Sequence, residues 1–135
     1  FGSRVNGVGG FINISQSAKR VVFVGTMTAG GLSTDIKNGG IKITSEGRIK
    51  KAVEKVAQIS FSGKYALKKA QKVTFITERA VFELKERGVV LTEVAPNADI
   101  NQDVLGQMEF TPVISENLKI MSKVIFGQER MGLFA

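Results

Sequence analysis

The sequence predicts an α/β fold. Two observations carry that expectation: an almost continuous apolar run, Val21-Val22-Phe23-Val24, entered through Lys19-Arg20, and a succession of strand-like segments whose helices gather toward the end of the chain. A strand apolar at every position suits burial on both faces of an α/β sheet, so this run is expected to be a central strand. At 135 residues the chain has the length of one domain, 1–135, able to bury a core without disulfides or metal.

Taken in order, the chain opens with Asn6-Gly7-Val8-Gly9-Gly10, followed by the β-type run Phe11-Ile12-Asn13-Ile14. Local residues favour a tight turn leading into a strand, since glycine reaches positive φ without penalty. Beyond the central strand, Thr26 and Met27 either approach a site or pack the core. Leu32–Ile36 and Ile41–Thr44 alternate apolar and polar residues around Asn38-Gly39-Gly40, a strong hairpin signal.

The span 49–59 fits two periods: Ile49, Val53 and Val56 have helical spacing, whereas Val56–Phe61 reads as a strand, and 56–61 is assigned strand. A short helix is expected over Tyr65–Gln71. Three consecutive strands follow, Val73–Thr77, Ala80–Leu84 and Val89–Val94, the last two joined as a hairpin through Glu86-Arg87-Gly88. Pro96 ends that block. Asp99 or Asn101 can cap a short helix over Gln102–Gln107, and Ser115 can cap a second helix with Leu118, Met121, Val124 and Ile125 on one face.

Composition removes several chemistries. With no cysteine there is no disulfide, thiolate metal site or cysteine nucleophile, and with no histidine the commonest general base and zinc ligand are gone. No metal site is expected; chemistry is left to carboxylates, lysines, hydroxyls and backbone amides. No stretch reaches the roughly 20 apolar residues of a membrane span, and no basic-then-apolar leader opens the chain, so a cytoplasmic protein without membrane contact is expected. The chain starts with Phe, and glycines precede any element, so it is expected to be cut from something longer.

The net charge of +7 is concentrated in one place. Arg48, Lys50, Lys51, Lys55, Lys64, Lys68, Lys69 and Lys72 lie within 25 residues that hold a single acid, Glu54, and the rest of the chain is balanced. Such a segment can capture a polyanion, yet only Phe61 and Tyr65 interleave it and no nucleic-acid motif frames it, so a solvated face is the plainer reading. The glycine run fits neither phosphate-binding pattern: the third glycine of a dinucleotide fingerprint would fall at Ile12, and no Gly-Lys-Ser/Thr follows. Glu78 with Arg79, and Glu83 with Glu86, look exposed or salt-bridged.

Six stretches together resemble a known family. They are Gly-Val-Gly-Gly-Phe-Ile-Asn-Ile-Ser-Gln (7–16), Lys-Arg-Val-Val-Phe-Val-Gly-Thr (19–26), Phe-Ser-Gly (61–63), Ile-Thr-Glu-Arg-Ala-Val-Phe-Glu-Leu (76–84), Leu-Thr-Glu-Val-Ala-Pro (91–96) and Asp-Val-Leu-Gly-Gln-Met-Glu-Phe (103–110). In this order they are similar to the C-terminal portion of family I coenzyme A transferases of the acetate, propionate and related short-chain acyl type. The Thr-Glu-Arg-Ala-Val-Phe block is the most specific.

The resemblance implies an open mixed β-sheet with flanking helices, the C-terminal part of a doubly wound domain. It implies a ping-pong transfer of CoA from an acyl-CoA to a short-chain carboxylate through a glutamyl-CoA thioester, with acyl-CoA as substrate and no covalently bound cofactor. The glycine loop is implied to donate a backbone N–H to the oxyanion, which places Gly7, Val8, Gly9, Gly10 and Phe11 at the thioester. Gly9 is the first choice of donor and Gly10 the second, and Gly9→Ala is expected to block the loop by sterics as well as by twisting it.

The family's nucleophile lies in a Glu-Asn/Ser-Gly motif upstream of that loop. Ser115-Glu116-Asn117-Leu118 lacks the glycine and sits near the wrong end, so no catalytic residue is expected in this chain. The remaining part of the transferase is then an implied partner. A truncated sheet leaves an open edge that favours self-association, so a homo-oligomer is expected. The alternative from another class is a non-catalytic polyanion-binding module using segment 48–72; the transferase reading carries no nucleic acid.

Overall fold

The computed structural model describes residues 7–127 and Met131; Asn6 of the opening glycine run lies outside the described residues. A five-stranded mixed sheet runs in the order β1 (Arg20–Val24), β6 (Lys72–Ile76), β7 (Ala80–Lys85), β8 (Gly88–Val94) and β9 (Val113–Ile120). The outer pairs β1/β6 and β8/β9 are parallel and the inner pairs are antiparallel. This agrees with the α/β class and the mixed sheet. One cross-strand row, Phe23, Phe75, Phe82, Leu91 and Ile114, crosses all five strands. Its middle is the main core, where Phe82 and Leu91 pack with Met27, Val94, Val104 and Met108.

Two small pairs sit outside the sheet: β2 (Thr28–Ala29) with β5 (Ile49–Lys50), and the hairpin β3 (Ser33–Lys37) with β4 (Gly40–Ser45). The hairpin turns on Asn38 and Gly39, both at positive φ (54° and 71°), the primed geometry that matches strand twist. A second core of Ile41, Ala95, Met121 and Phe126 holds β4 against the chain after Pro96, and the Ile41 N–H donates to the Pro96 carbonyl at 3.1 Å.

Helix α1 (Phe11–Ser17) stands where a strand was expected over Phe11–Ile14. Tertiary contacts override the β-type residues: Phe11 packs on Phe23, with ring centroids 6.0 Å apart, and Ser15 is buried with its hydroxyl donating to the Phe11 carbonyl at 2.6 Å. The Gln71 amide then donates to the carbonyls of Ser15 and Ala18, closing the C-terminal end of the helix. Helix α2 (Gly63–Lys68) overlaps the expected Tyr65–Gln71 helix but starts two residues earlier and ends at Lys68, and the Ser62 hydroxyl caps it by accepting the Tyr65 N–H at 3.2 Å.

Three further expectations are corrected. Residues 56–61 form no strand: they pair with no strand of the sheet, and Phe61 turns inward to meet Phe23 edge-on at 5.2 Å. The helix expected from Ser115 is instead β9, because Val113–Ile120 pairs with β8; the Ser115 hydroxyl accepts the Asn117 N–H in a local turn rather than capping a helix. Among the described residues there, only Lys123–Phe126 is helical, as a 3-10 turn capped by Ser122. Finally, β1 is an edge strand of the described sheet, with Phe23 covered on one face while Val22 and Val24 on the other are 47% and 78% exposed. Asp99 caps as expected, accepting the Gln102 N–H at 2.7 Å, but the turn it opens is a π turn, Ile100–Val104, running into a 3-10 turn, Leu105–Gln107.

Candidate functional site

The glycine loop sits beside the carboxyl half of β1, since Phe11, the residue after it, packs on Phe23. Ligands of open α/β sheets bind outside the carboxyl ends of the strands. Gly9 has φ +51°, and Gly10 forms the N-cap of α1 at φ −80°, ψ 0°. The Phe11 N–H turns back to the Val8 carbonyl at 3.1 Å, and the Gly10 carbonyl accepts from Ile14 at 3.0 Å. Gly7 to Gly10 are all exposed, and among the described residues no hydrogen bond takes up the N–H of Gly9 or Gly10. Gly7, Val8, Gly9, Gly10 and Phe11 are thus brought together as one exposed loop with free donors.

Among the described residues a methyl at Gly9 would meet nothing within 4 Å, whereas one at Gly10 would lie 3.2 Å from the Ile14 side chain. Among the described residues, therefore, the cost of Gly9→Ala comes from its left-handed backbone and not from crowding, which narrows the expected steric effect.

Two apolar clefts share Phe23, Val56, Phe75 and Val89, and one of them reaches Phe11 at the end of the loop. One, of about 530 Å³, opens at the carboxyl ends of β1 and β6 between Val24, Thr26, Ile76 and Lys51. The other, of about 570 Å³, runs from Phe11 past Phe61 to Leu84. Segment 51–63 walls both. Met27 is buried in the core, while exposed Thr26 accepts a hydrogen bond from the Lys51 ammonium at 2.7 Å.

The strongest charge cluster is elsewhere. Arg79 is 0% exposed. Its Nε donates to Glu78 at 2.6 Å, Nη1 donates to Glu46 at 2.7 Å and to the Asp103 carbonyl at 3.0 Å, and Nη2 donates to Glu46 at 3.0 Å. The second Glu78 oxygen accepts the Met27 N–H at 2.9 Å, and Glu46 also accepts from the Thr28 hydroxyl and the Gly47 N–H. The Arg79 guanidinium holds the Glu46 carboxyl down to about 2 against burial, which pushes upward; Thr28 and Gly47 assist. Burial alone would lower Arg79, but the two carboxylates outweigh it and keep the guanidinium above its ordinary value.

This cluster ties β2, the loop after β4, β7 and the π turn together, so its work is to hold the fold. Glu78 and Arg79 are salt-bridged as the sequence suggested; Glu46 and Thr28 carry no sequence signal, and only the specificity of the Thr77–Ala80 block hints at a buried charge. Glu83 pairs with Lys85, leaving Glu86 exposed. Among the described residues no group of three acidic side chains is placed to hold a metal ion, and no helix is long and apolar enough to cross a membrane.

No family model matches the chain. It is 48% identical over 132 residues, 98% of its length, to the acetate CoA-transferase YdiF of Escherichia coli K12, and 44% identical over the same length to the caffeate CoA-transferase of Acetobacterium woodii. The crystal structure of the acyl-CoA transferase YdiF apoenzyme from E. coli O157:H7 superposes with a TM-score of 0.95 at 48% identity over 98% of the chain, as does its thioester complex with CoA. The chain spans about a quarter of the length of these relatives, 25% of each sequence and 26% of each structure. In sequence and in fold, the chain corresponds to a C-terminal portion of a coenzyme A transferase.

Proposed function

We propose that this chain supplies the oxyanion loop of an acyl-CoA:carboxylate CoA-transferase. The observation that carries the reading is the Gly7–Gly10 loop: exposed, with Gly9 at positive φ and with Gly9 and Gly10 N–H groups that no acceptor among the described residues engages, in a chain whose relatives are CoA-transferases. A glutamate carboxylate outside this chain attacks the acyl carbonyl, and the C–S bond breaks to leave a mixed anhydride and CoA thiolate. The thiolate then attacks the glutamyl carbonyl, releasing the carboxylate and forming glutamyl-CoA; an acceptor acid reverses the sequence. Each addition puts negative charge on a carbonyl oxygen. A backbone N–H already aimed there costs no reorganisation, and such a donor is worth about 3–4 kcal/mol.

Gly9 is the first donor and Gly10 the second, with Gly7 and Val8 shaping the loop and Phe11 seating it on β1. Acetate and caffeate in the relatives' names bracket the acyl groups to try. In the full-length polypeptide that carries this sequence, Gly9→Ala is expected to lower kcat for acetyl-CoA plus propionate about 10²-fold, with a smaller loss for Gly10→Ala, whose only neighbour among the described residues is the flexible Ile14. An unchanged kcat in Gly9→Ala overturns the loop's role. The 135-residue chain by itself is expected to give no turnover, because it lacks the nucleophile; turnover would overturn that division of labour.

A further inference from the structure

We infer that Gln71 is a positioning residue of the reaction: from the far end of α1 its side chain sets how the N–H groups of Gly9 and Gly10 are aimed. This rests on the transferase reading above. The helix that follows those groups has little reason to form by itself. It has seven residues, Phe11–Ser17, about 10 Å of rise, well below the length at which an isolated helix holds in water. Phe11, Ile12, Asn13 and Ile14 are middling helix formers, and no side chain caps the amino end. Ile12 and Ile14 stay 39% and 72% exposed, so a buried apolar face does not hold it either. The helix is therefore held from outside, and its ties fix where the loop points.

Beside the loop, the Phe11 ring lies on Phe23 of β1. At the other end, the Ser62 N–H donates to the Gln16 side chain at 2.8 Å, and the Gln71 amide donates to the carbonyls of Ser15 and Ala18, which the helix end leaves without intrahelical partners. Gln71 immediately precedes β6, and β6 pairs with β1 from Arg20 and Lys72 onward, so both ends of α1 are fastened to the same two strands. A short helix fixed at both ends can neither slide nor tilt. The backbone aims Gln71 at this task. Its N–H donates to the Ala66 carbonyl at 2.9 Å and the Ala70 N–H to the Leu67 carbonyl at 3.0 Å, a Schellman close of α2 that puts Ala70 at φ +52°. Glycine usually fills that left-handed position, and alanine there costs about 1 kcal/mol. The Gln71 side chain is buried, yet its Oε1 accepts nothing among the described residues. The amide thus serves as a double donor to α1, in surroundings where such bonds are not traded against water.

Steady-state kinetics of the full-length polypeptide with Gln71→Met, using acetyl-CoA and propionate, tests this. Methionine fills a similar volume and donates no hydrogen bond. Per folded molecule, kcat is expected to fall about tenfold while KM for acetyl-CoA stays within about twofold, because a misaimed oxyanion donor is missed in the transition state and not in the bound thioester. Gln71→Asn, which keeps an amide on a shorter arm, is expected to lose less in the same direction, and it decides by the same two constants if Gln71→Met does not fold. An unchanged kcat per folded molecule overturns the inference even where the unfolding midpoint drops, since the tie would then serve stability alone. A rise in KM at unchanged kcat overturns it too. If the unaltered polypeptide turns over no thioester, the transferase reading fails on its own account, and hydrogen exchange still decides whether Gln71 holds the helix. The Ile14 and Ala18 amides, which close α1, are expected to exchange about tenfold faster in Gln71→Met while those of β8 keep their rate. Equal protection of Ile14 and Ala18 in the two proteins overturns the tie.

Discussion

Arg79 and the lysines of segment 48–72 carry the same sign of charge under opposite conditions. Arg79 is fully buried between two carboxylates and a carbonyl; the segment exposes eight cations that meet no carboxylate among the described residues. A buried charge persists only when every donor is answered, so Arg79 is spoken for by the fold. An exposed lysine is hydrated, mobile and available. Charge that holds the structure is thus separated from charge that faces outward, and the glycine loop, with its own unanswered N–H groups, lies on the outward side.

The sharpest way to break this comparison is to remove the buried charge. Arg79→Met leaves Glu46 and Glu78 partly buried around an apolar side chain, and loss of one partner of such a pair costs about 3–5 kcal/mol. Equilibrium urea unfolding of the variant reads this directly. A loss below about 1 kcal/mol would mean that the cluster relaxes into water and that Arg79 resembles the exposed lysines after all.

Next in size is the acid limb of stability. Glu46 is held at about 2 in the folded state against an ordinary value of 4.5, so its contribution is complete above the ordinary value and disappears as pH falls from there toward about 2. The difference corresponds to about 3 kcal/mol. Unfolding free energy measured from pH 6 to pH 2 is expected to fall steeply in the original protein and less steeply in Glu46→Gln, which has no carboxyl to protonate. Parallel curves for the two proteins would refute the role given to Glu46.

A smaller effect is expected at the β3–β4 turn. Gly39 has φ +71°, and a methyl there would lie 3.1 Å from the Lys123 side chain. Gly39→Ala should cost about 1 kcal/mol, mostly from left-handed backbone, because Lys123 can move aside. Thermal unfolding checks it. A loss as large as that of Arg79→Met would shift the balance of the fold from the ion cluster to the hairpin.

Much of this was legible from short-range signals. The Asn38-Gly39 turn, the three strands between Lys72 and Val94 and the Ser62-capped α2 follow from turn chemistry and alternation acting locally. The misses come where distant packing chose between two local options. Phe11–Ile14 has β-type residues, yet Phe23, Gln71 and a buried Ser15 make it helical. Val113–Ile120 shares helical and strand spacing, and the open side of β8 decides for the strand. For the site, the glycine loop was found by resemblance and not by local chemistry, while Glu46 was invisible because its partner Arg79 lies 33 residues away.

The smallest expected effect belongs to the exposed side of the comparison. Lys64 and Lys68 are four residues apart on α2, where like charges repel and cost about 0.2–0.5 kcal/mol in a helix. Glutamine has nearly the helix propensity of lysine, and neither side chain makes a hydrogen bond or salt bridge among the described residues. Lys64→Gln should therefore leave the unfolding free energy unchanged or raise it by a few tenths of a kcal/mol, with the gain shrinking as salt screens the repulsion. Chemical unfolding at low and high ionic strength measures both. A destabilisation above about 1 kcal/mol would show that this lysine supports the fold as Arg79 does, and the separation between structural and outward-facing charge would no longer hold.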